Sequence, residues 1–436
     1  MVAEKLKVDV KMESRKKQKI AVVGGGVAGI VSAYLLQQQH QVTLFEQNDY
    51  LGGHTNTIEM TDGPDAGLAV DTGFIVLNEA TYPLFQTFLA RLGVETRNSE
   101  MSFGFQCLQS GLVYAGNDLN GLFAQRRNLV SPEFYRFLWE INRFNSDARK
   151  ALAEGSVPAV TLGDYLQQKN YAAFMVNNYL LPMAAAIWST PTLRAADFPA
   201  EAFLRFFKNH GLLSLRNRPQ WKTVVGGSFA YVKAFQQQFS GEIILNAGVK
   251  KIFREADGVR LQLGDGHTEQ FDRVVIATHA DQALRLLGDP SDAEQRLLSP
   301  WQYQLNHTVL HTDASLLPEQ RAAWSAWNFT REVVDDADTQ PVFVTYYMNL
   351  LQGLEAQRHY CVTLNRRESF RPETVIAEFD YQHPQYSFAA LATQAELPTL
   401  NGQRNSWFCG SYFGYGFHED AVRSAVAVAA DFEVRL

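Results

Sequence analysis

Short apolar runs alternate with polar and glycine-rich breaks at the start of the chain. Residues 20–23, Ile-Ala-Val-Val, have the length and composition of a buried parallel strand. A glycine-rich segment follows at 24–29, and apolar positions within 30–39 then fall on one face, which predicts a helix. Residues 41–46 predict a second strand that ends in an acid. This order predicts a strand–turn–helix–strand unit of an α/β domain.

The rest of the chain contains helical periodicity in its middle and strand patterns in its second half. The predicted helices span 80–93, 131–152, a segment capped at 161–164, 172–190, 198–210 and 417–430. The predicted strands span 68–74, a pair within 99–115, 242–249, 259–263, 271–279, 304–313, 324–330, 341–348, 360–365 and 407–410.

The glycine-rich turn has the spacing of a dinucleotide-binding motif. Gly24 allows a tight turn, Gly26 lets the backbone approach a pyrophosphate, and Gly29 lets the helix pack closely on the strand. The helix N-terminus supplies N–H groups and partial positive charge. Glu46, at the end of the second strand, can accept hydrogen bonds from ribose hydroxyls. The predicted residues of this part are Gly24, Gly26, Val27, Ala28, Gly29, Glu46 and Gln47.

A second Gly-Gly pair follows the second predicted strand. It stands at 52–53 and precedes His54 and Thr55, which can donate to phosphate or ribityl oxygens. A short strand at 68–74 is then broken by Asp-Thr-Gly. With these segments the chain resembles the flavin-containing amine oxidase superfamily, which includes protoporphyrinogen oxidases and carotenoid desaturases. The resemblance implies FAD, with contacts from Gly52, Gly53, His54, Thr55, Asp71, Thr72, Gly73 and Phe74.

Further strings resemble the flavin oxidoreductase module fused in front of plant cyclopropane fatty acid synthases, and stand-alone bacterial proteins of that type. The resemblance runs from residue 20 to about 290 and returns near the end. The matching strings are 50–54, 71–74, 121–125, 187–189, 218–221 and 416–420. The fused methyltransferase is not part of this sequence. A separate lipid methyltransferase is therefore a candidate partner.

The resemblance also implies cofactor contacts from later parts of the chain. In this superfamily the N-terminus of the final helix faces the flavin pyrimidine ring, although Glu419 can equally be a simple first-turn acid. The turn at 226–228 either approaches the flavin edge or only joins a strand to a helix. The implied contacts are Val249, Ala277, Thr278, Gly410, Phe417, His418 and Glu419.

The resemblance predicts an α/β fold (α+β overall). A Rossmann-like FAD-binding domain of the glutathione-reductase type is interleaved with a substrate domain of mixed sheet and helices. The FAD-binding domain is predicted at 20–85, 215–290 and 400–436, and the substrate domain at 86–214 and 291–399. Residues 1–19 contain seven basic and three acidic side chains. They predict a disordered arm, either a solvated tail or a tether to anionic lipid.

Composition narrows the class of protein. The net charge of −7 disfavours nucleic acid as a partner, and no run of 18 apolar residues predicts a membrane span. The basic arm lacks the apolar core of a secretory signal. Three separated cysteines without a C-x-x-C indicate reduced thiols and exclude a disulfide reductase. We therefore expect a cytoplasmic protein, at most peripheral to the inner membrane.

The expected chemistry is oxidation of a substrate by non-covalent FAD. A second dinucleotide motif is absent, which argues against an NAD(P)H domain; oxygen, a quinone or a partner protein would reoxidise the flavin. No metal site is expected, because His307 and His311 lie four residues apart in a predicted strand. The candidate catalytic residues are His210, Trp188, Lys222 and Tyr412, of which His210 can instead be structural.

The substrate stays open between three hypotheses. An apolar or lipid acyl substrate suits the Phe-rich segment around Phe203, Phe206 and Phe207. The resemblance to the lipid-synthase module favours this hypothesis. A small amine would need aromatic walls, which Tyr412 and Tyr415 could supply. The third hypothesis is an accessory protein that holds flavin for a lipid methyltransferase. Aromatic residues of the later strands either line the pocket or pack the core: Trp324, Trp327, Phe343, Tyr346 and Tyr347.

Overall fold

The computed structural model describes residues 17–188, 192–214, 219–332, 343–366 and 370–436. Most of the predicted basic arm, Ser189, Arg218 and the first two residues of the strand predicted at 341–348 lie outside these ranges. None of the described helices is both long and apolar enough to cross a bilayer.

Fifteen α-helices lie within the described residues. They are α1 (Val27–Leu36), α2 (Pro83–Leu92), α3 (Leu119–Leu122), α4 (Pro132–Glu154), α5 (Leu162–Gln168), α6 (Ala173–Met175), α7 (Leu181–Trp188), α8 (Thr192–Ala196), α9 (Ala200–Asn209), α10 (Phe229–Gln238), α11 (Ala280–Leu286), α12 (Asp292–Leu298), α13 (Met348–Leu351), α14 (Phe388–Thr393) and α15 (His418–Asp431).

Twenty strands accompany them in the same residues. They are β1 (Lys19–Val23), β2 (Gln41–Phe45), β3 (Thr57–Glu59), β4 (Ala69–Asp71), β5 (Val76–Asn78), β6 (Thr96–Asn98), β7 (Phe103–Cys107), β8 (Val113–Ala115), β9 (Trp221–Val224), β10 (Glu242–Ile244), β11 (Val249–Glu255), β12 (Gly258–Leu263), β13 (Thr268–Phe271), β14 (Arg273–Ile276), β15 (Gln302–His311), β16 (Trp327–Arg331), β17 (Phe343–Tyr347), β18 (Cys361–Leu364), β19 (Val375–Gln385) and β20 (Ser406–Phe408).

A five-stranded parallel sheet forms one side of the molecule, in the order β10-β2-β1-β14-β20. Its central strands are apolar at successive positions because both faces are covered, as in doubly wound folds. Ile20, Ala21 and Val22 of β1 have no exposed surface, and α1 packs against α15 on one face. In sheets of this kind, ligands bind at the carboxyl ends of the strands. The sheet therefore aims the glycine-rich turn after β1 at the ligand edge.

A seven-stranded sheet forms the other large layer, in the order β19-β15-β18-β17-β16-β7-β8. Its neighbours are antiparallel except for the parallel pair β16 and β7. The helical block from α4 to α9 packs beside it around a core of buried aromatic rings, among them Phe137, Phe144 and Phe203. Three small sheets complete the fold, β11-β12-β13, β3-β4 and β5-β9-β6.

The segment predicted as one helix at 172–190 is interrupted. A π-helical turn at Val176–Leu180 separates α6 from α7. Pro182 has no N–H, so it cannot bond to the carbonyl of Asn178 in the preceding turn. That carbonyl instead accepts a hydrogen bond of 2.7 Å from the Tyr114 hydroxyl, which ties the helix to the seven-stranded sheet.

Two further predictions differ from the structure. The helix predicted at 30–39 begins earlier, at Val27, and ends at Leu36, so the last part of the glycine motif is already helical. The strand predicted at 242–249 is two strands, β10 and β11, because Asn246 takes a left-handed φ of 55° between them. The long strand β19 and the helices α11 and α12 were not predicted. The domain boundaries stay a prediction.

Candidate functional site

A cavity of about 990 Å³ runs between the carboxyl end of the parallel sheet and the inner face of the seven-stranded sheet. Its volume is at the upper end of the range for small-molecule sites. One half is lined by the glycine-rich segments after β1 and β2, and the other by aromatic and aliphatic side chains of α7, α9 and the second sheet. Two chemically different ligand groups can therefore meet inside one cavity.

The glycine turn leaves room for a ligand at one position and packs tightly at another. A Cβ on Gly29 would lie 1.8 Å from the carbonyl oxygen of Gly24, so only glycine lets α1 approach β1 this closely. A Cβ on Gly26 would meet no protein atom within 4 Å. Gly26 caps α1 without a side-chain hydrogen bond, and no acid lies in the first turn. The N–H groups there suit an anion such as pyrophosphate.

Glu46 lines the cavity beside this turn and is held by backbone groups. Its Oε2 accepts a hydrogen bond of 2.7 Å from Gly25 N, and its Oε1 accepts one of 2.9 Å from Asn48 N. The residue is 6% exposed. Carboxylate oxygens have further lone pairs for hydroxyl donors. The structure thus places an oriented acceptor where the sequence predicted the ribose ligand.

The second Gly-Gly pair is hydrogen-bonded to the first glycine turn. Gly52 N donates to Gly25 O at 2.8 Å, and both Gly52 and Gly53 take positive φ, 121° and 60°. A Cβ on Gly73 would lie 2.1 Å from the carbonyl oxygen of His54. These approaches require glycine. They bring three separate segments to one wall of the cavity.

Four histidines enclose the cavity next to these glycines: His54, His279, His383 and His418. The His54 ring centroid lies 5.2 Å from that of His383 and 6.2 Å from that of His279. Burial, followed by the neighbouring His279, lowers the pKa of His383 to about 4. Burial and the neighbouring imidazoles also hold the pKa of His54 well below its usual value. The cluster is therefore neutral near pH 7. His383 was missed because β19 was not predicted; His279 ends the strand predicted at 271–279 but was not among the predicted contacts.

The start of α15 closes the same wall. The His418 ring stacks on Phe74 with centroids 3.6 Å apart, and burial lowers its pKa to about 3. His418 Nε2 lies 3.0 Å from Thr55 Oγ1. Glu419 points elsewhere, because its carboxylate accepts hydrogen bonds from Leu84 N at 3.0 Å and Phe85 N at 2.9 Å. Glu419 therefore caps α2, while His418 faces the cavity.

The Asp71 carboxyl group forms hydrogen bonds within the protein and does not line the cavity. Its Oδ1 accepts hydrogen bonds from Thr57 Oγ1 at 2.5 Å and from Ser228 N at 2.8 Å, and its Oδ2 accepts one from Gln352 Nε2 at 2.9 Å. Burial raises its pKa to about 7. The carboxyl group joins β4 to the turn before α10. Ser228, whose role the sequence left open, is thus held by Asp71 and does not line the cavity.

The predicted cofactor contacts fall into two groups, those that line the cavity and those that do not. Gly29 and Thr55, like Asp71 and Glu419, do not line the cavity. The others do: Gly24, Gly26, Val27, Ala28, Glu46, Gln47, Gly52, Gly53, His54, Thr72, Gly73, Phe74, Val249, Ala277, Thr278, Gly410, Phe417 and His418.

The second half of the cavity is apolar. Its walls come from the seven-stranded sheet and from the segments of the helical block, and consist of Met101, Phe103, Tyr114, Tyr179, Met183, Ile187, Trp188, Phe206, Leu212, Trp221, Trp327, Tyr346 and Leu351. Glu46 and Asp380 are the carboxylates among the described lining residues, and both lie outside this set. These walls contain no charged side chain; Asp380, on β19 of the same sheet, also lines the cavity and is paired with His307 Nδ1 at 3.1 Å.

His210 brings one polar atom to the apolar half. Its ring stacks on Phe206 at 3.8 Å, and Trp221 lies nearly parallel at 6.2 Å. Nδ1 lies 3.0 Å from the Phe206 carbonyl oxygen, which can only accept, so Nδ1 carries the hydrogen. Burial lowers the pKa of His210 to about 4. Nε2 is consequently a lone-pair acceptor, and it forms no hydrogen bond within the described residues.

The other candidate catalytic residues differ in placement. Trp188 and Tyr412 line the cavity and are nearly fully buried. Lys222 does not line it, because side chains alternate along β9 and the neighbouring Trp221 takes the inner face. Lys222 pairs with Glu79 instead. Trp327 and Tyr346 line the cavity, whereas Trp324 and Tyr347 line a second, smaller one.

Comparisons with known proteins agree on one family. A sequence model described as flavin containing amine oxidoreductase matches residues 27–432. AofH of Mycobacterium tuberculosis, whose name describes a flavin-containing monoamine oxidase, is 26% identical over 349 residues, covering 75% of this chain and 70% of that protein. An L-amino-acid oxidase of Siganus canaliculatus is 24% identical over 288 residues, 62% of this chain and 52% of that protein.

Solved structures share the fold. A double mutant of putrescine oxidase superimposes with a TM-score of 0.70 at 16% identity, covering 96% of this chain and 99% of that one. A CLA-producing fatty acid isomerase from P. acnes gives a TM-score of 0.67 at 14% identity, covering 95% and 98%. These likenesses establish the architecture.

Proposed function

Because the chain belongs to the flavin-containing amine oxidoreductase family, we propose that this FAD-dependent oxidoreductase acts on the acyl chain of a lipid. FAD and the oxidoreductase class follow from the family. The proposal concerns the substrate. It is carried by one observation, the uncharged apolar half of the cavity beside the predicted cofactor half.

The glycine-rich half fits FAD. The space at Gly26 and the uncapped N-terminus of α1 suit a pyrophosphate, and the fixed carboxylate of Glu46 suits ribose hydroxyls. FAD supplies two-electron oxidation chemistry when bound. The lining residues Ala277, Gly410 and His418 extend this half toward the apolar walls.

The apolar half disfavours charged substrates. A cationic amine would leave water for a region without a carboxylate partner, and an amino acid would bring a carboxylate without a cation. Burial of an unpaired charge is costly. Lys250 and Arg285, the basic side chains among the described lining residues, do not belong to this half. An alkyl chain needs no such partner and gains from burial against Met183, Ile187 and Tyr346.

The fatty acid isomerase with the same fold offers limited support. Its name refers to a fatty acid, so the architecture can serve acyl chemistry, but the likeness extends to the fold alone. An uncharged amine is the second candidate, because the rings of Phe206 and Phe417 pack against His210, the Tyr415 ring lies 6.5 Å from Phe206, and together they could form its walls.

Within the proposed reaction the protein supplies position and proton transfer. The apolar walls align the chain and exclude water. His210 is held in one tautomer by the Phe206 carbonyl, so its Nε2 can accept a proton from the substrate carbon undergoing oxidation. The pKa of about 4 keeps that atom unprotonated at neutral pH and also makes the imidazole a weak base, so His210 can take only a proton that the oxidation itself has made acidic.

Anaerobic mixing tests the proposal. The holoprotein is combined with fatty acids and phospholipids in detergent micelles, and separately with mono- and diamines, and flavin absorbance is followed near 450 nm. We expect bleaching with acyl substrates at rates that rise with chain length. Bleaching by amines with none by any acyl lipid would reject the lipid proposal. If neither acyl lipids nor amines bleach the flavin, and the protein binds tightly to a lipid methyltransferase, the accessory role would be favoured.

A further inference from the structure

Exposed apolar side chains concentrate on one part of the surface. Ten large hydrophobic side chains are exposed among the described residues, and six of them fall between residues 108 and 139. We define these six as the apolar patch: Leu108 (56% exposed), Leu119 (75%), Leu129 (48%), Val130 (83%), Tyr135 (49%) and Trp139 (58%). Clusters of this kind mark interaction sites, whereas isolated exposed hydrophobic residues do not.

Contacts within residues 108–139 hold two members of the apolar patch together and fix the turns beside them. The Tyr135 hydroxyl donates to the Leu129 carbonyl at 3.1 Å, and the Tyr135 ring lies 6.1 Å from Phe123, which ends α3. Gln125 Nε2 donates to Gly111 O at 2.6 Å and so fixes the β7–β8 turn against the same segment. Tyr135 and Trp139 are one helical turn apart on α4.

Positive charge is interleaved with the apolar patch. Arg126, Arg127 and Arg136 are exposed beside it and form no ion pair within the described residues. Arg126 Nη1 donates to Phe123 O at 2.8 Å and Arg127 Nη2 to Gly111 O at 3.1 Å, so both keep their full charge. The whole chain is acidic, with a net charge of −7. Local basic charge with Trp and Tyr is typical of surfaces that contact anionic membranes.

The apolar patch borders an entrance to the main cavity. A second cavity of about 690 Å³ is lined by Asn117, Asp118 and Asn120, which flank the exposed Leu119. It shares Met101, Ser102 and Gly116 with the main cavity. Glu100, Asp118 and Arg321 also line the second cavity, so its wall is polar up to the three shared residues, beyond which the apolar lining of the main cavity begins.

We infer that the apolar patch docks onto a lipid bilayer that contains anionic lipids, and that the second cavity admits the acyl chain from it. The occupant follows from the combination of an aromatic and aliphatic surface, unpaired arginines and the adjoining entrance. The entrance role rests on the proposed lipid substrate; the docking itself does not. Leu119 and Val130 would enter the headgroup region, with Tyr135 and Trp139 at the boundary.

The test uses full-length holoprotein and sedimentation with sucrose-loaded vesicles of phosphatidylcholine, with or without phosphatidylglycerol. The patch variant carries Leu119→Ser, Val130→Ser and Trp139→Ser, all at exposed positions. The control variant carries Val225→Ser, Ile376→Ser and Phe388→Ser, which remove exposed apolar groups elsewhere (42%, 38% and 45%, against 75%, 83% and 58% in the patch variant). We expect binding to mixed vesicles to fall at least about tenfold in the patch variant and to stay unchanged in the control.

A charge variant and an activity measurement separate the outcomes. Arg126→Gln with Arg127→Gln should weaken binding to anionic vesicles, by ~5-fold per arginine, without affecting neutral ones. The patch variant should still bleach its flavin with acyl substrate in micelles. Equal vesicle binding by wild type and patch variant would overturn the inference. A wild-type dimer that the patch variant does not form, with no vesicle binding by either protein, would also overturn it and would assign the surface to a second copy of the chain. Vesicle binding without any acyl-dependent bleaching would refute the proposed substrate and leave the docking surface standing.

Discussion

Replacing Gly26 by alanine separates cofactor binding from folding. Gly26 has φ −72° and ψ 179°, a conformation open to any residue, and its new Cβ would meet no protein atom within 4 Å. Alanine also restricts the unfolded chain more than glycine does. We therefore expect the apoprotein to keep its free energy of unfolding or gain about 0.4–1 kcal/mol.

The same methyl group would occupy the space that we assign to the pyrophosphate. Displacement that costs one hydrogen bond to a charged oxygen weakens binding by about 1.5–3 kcal/mol, or roughly 10- to 100-fold in Kd. By contrast, Gly29→Ala would set a Cβ 1.8 Å from a backbone oxygen and should destabilise apo- and holoprotein alike. Overpacking of this kind typically costs about 1–3 kcal/mol.

Two measurements on each variant decide the matter: urea unfolding of the apoprotein, and calorimetric titration with FAD. Gly264→Ala is the matched control, since its Cβ would have only ordinary contacts, the nearest at 3.4 Å to Gly248 O, and Gly264 itself does not line the cavity. An alanine at Gly26 that binds FAD as tightly as wild type would refute the assigned pyrophosphate position. A destabilised apoprotein would refute the view that this turn is unstrained without its ligand.

Three further predictions concern buried polar groups. His383 and His418 have folded pKa values of about 4 and about 3, below the unfolded value, so the unfolded chain binds more protons under acid. Each of these histidines should therefore stabilise the apoprotein by about 3 kcal/mol more at pH 6.5 than at pH 4, an effect that Asp71, whose pKa burial raises to about 7, offsets in part; a urea midpoint that does not rise over this range would contradict it. His210→Leu should slow anaerobic flavin reduction about 100-fold without changing FAD content, and an unchanged rate would remove its proposed role. Arg254→Met should cost about 3–5 kcal/mol in urea unfolding, because buried Glu294 loses its bidentate partner, and adding Glu294→Leu should recover most of the loss.

Local patterns were sufficient where one segment determines its own structure. The apolar run of β1, the turn from Gly24 to Gly29 and the acid at Glu46 are adjacent in sequence, and the structure has them as strand, turn and oriented carboxylate. The long amphipathic helix predicted at 131–152 is α4, which begins at Pro132 and ends at Glu154.

Residues brought together by distant segments escaped prediction. The alternating pattern of β19, in which Ile376, Glu378 and Asp380 are more exposed than the residues between them, was a usable signal that Pro384 obscured, so His383 was not predicted. The capping box of Ser291 and Glu294 was likewise a sequence signal for the start of α12. By contrast, nothing local shows that Glu419 caps α2, since its partners lie more than 330 residues away.

The central claim, that the apolar half holds an acyl chain beside the flavin, is tested most directly by narrowing that half. Ile187 lines it on α7, whereas Ile376 is exposed on β19 and outside both cavities, so Ile187→Trp and Ile376→Trp add the same bulk inside and outside. Anaerobic flavin reduction by palmitoyl and by butyryl substrates is measured for both holoproteins. We predict that Ile187→Trp slows flavin reduction by the palmitoyl substrate at least about tenfold without changing FAD content. The Ile376→Trp control should reduce its flavin at the wild-type rate. Reduction by the palmitoyl substrate at the wild-type rate in Ile187→Trp would contradict it.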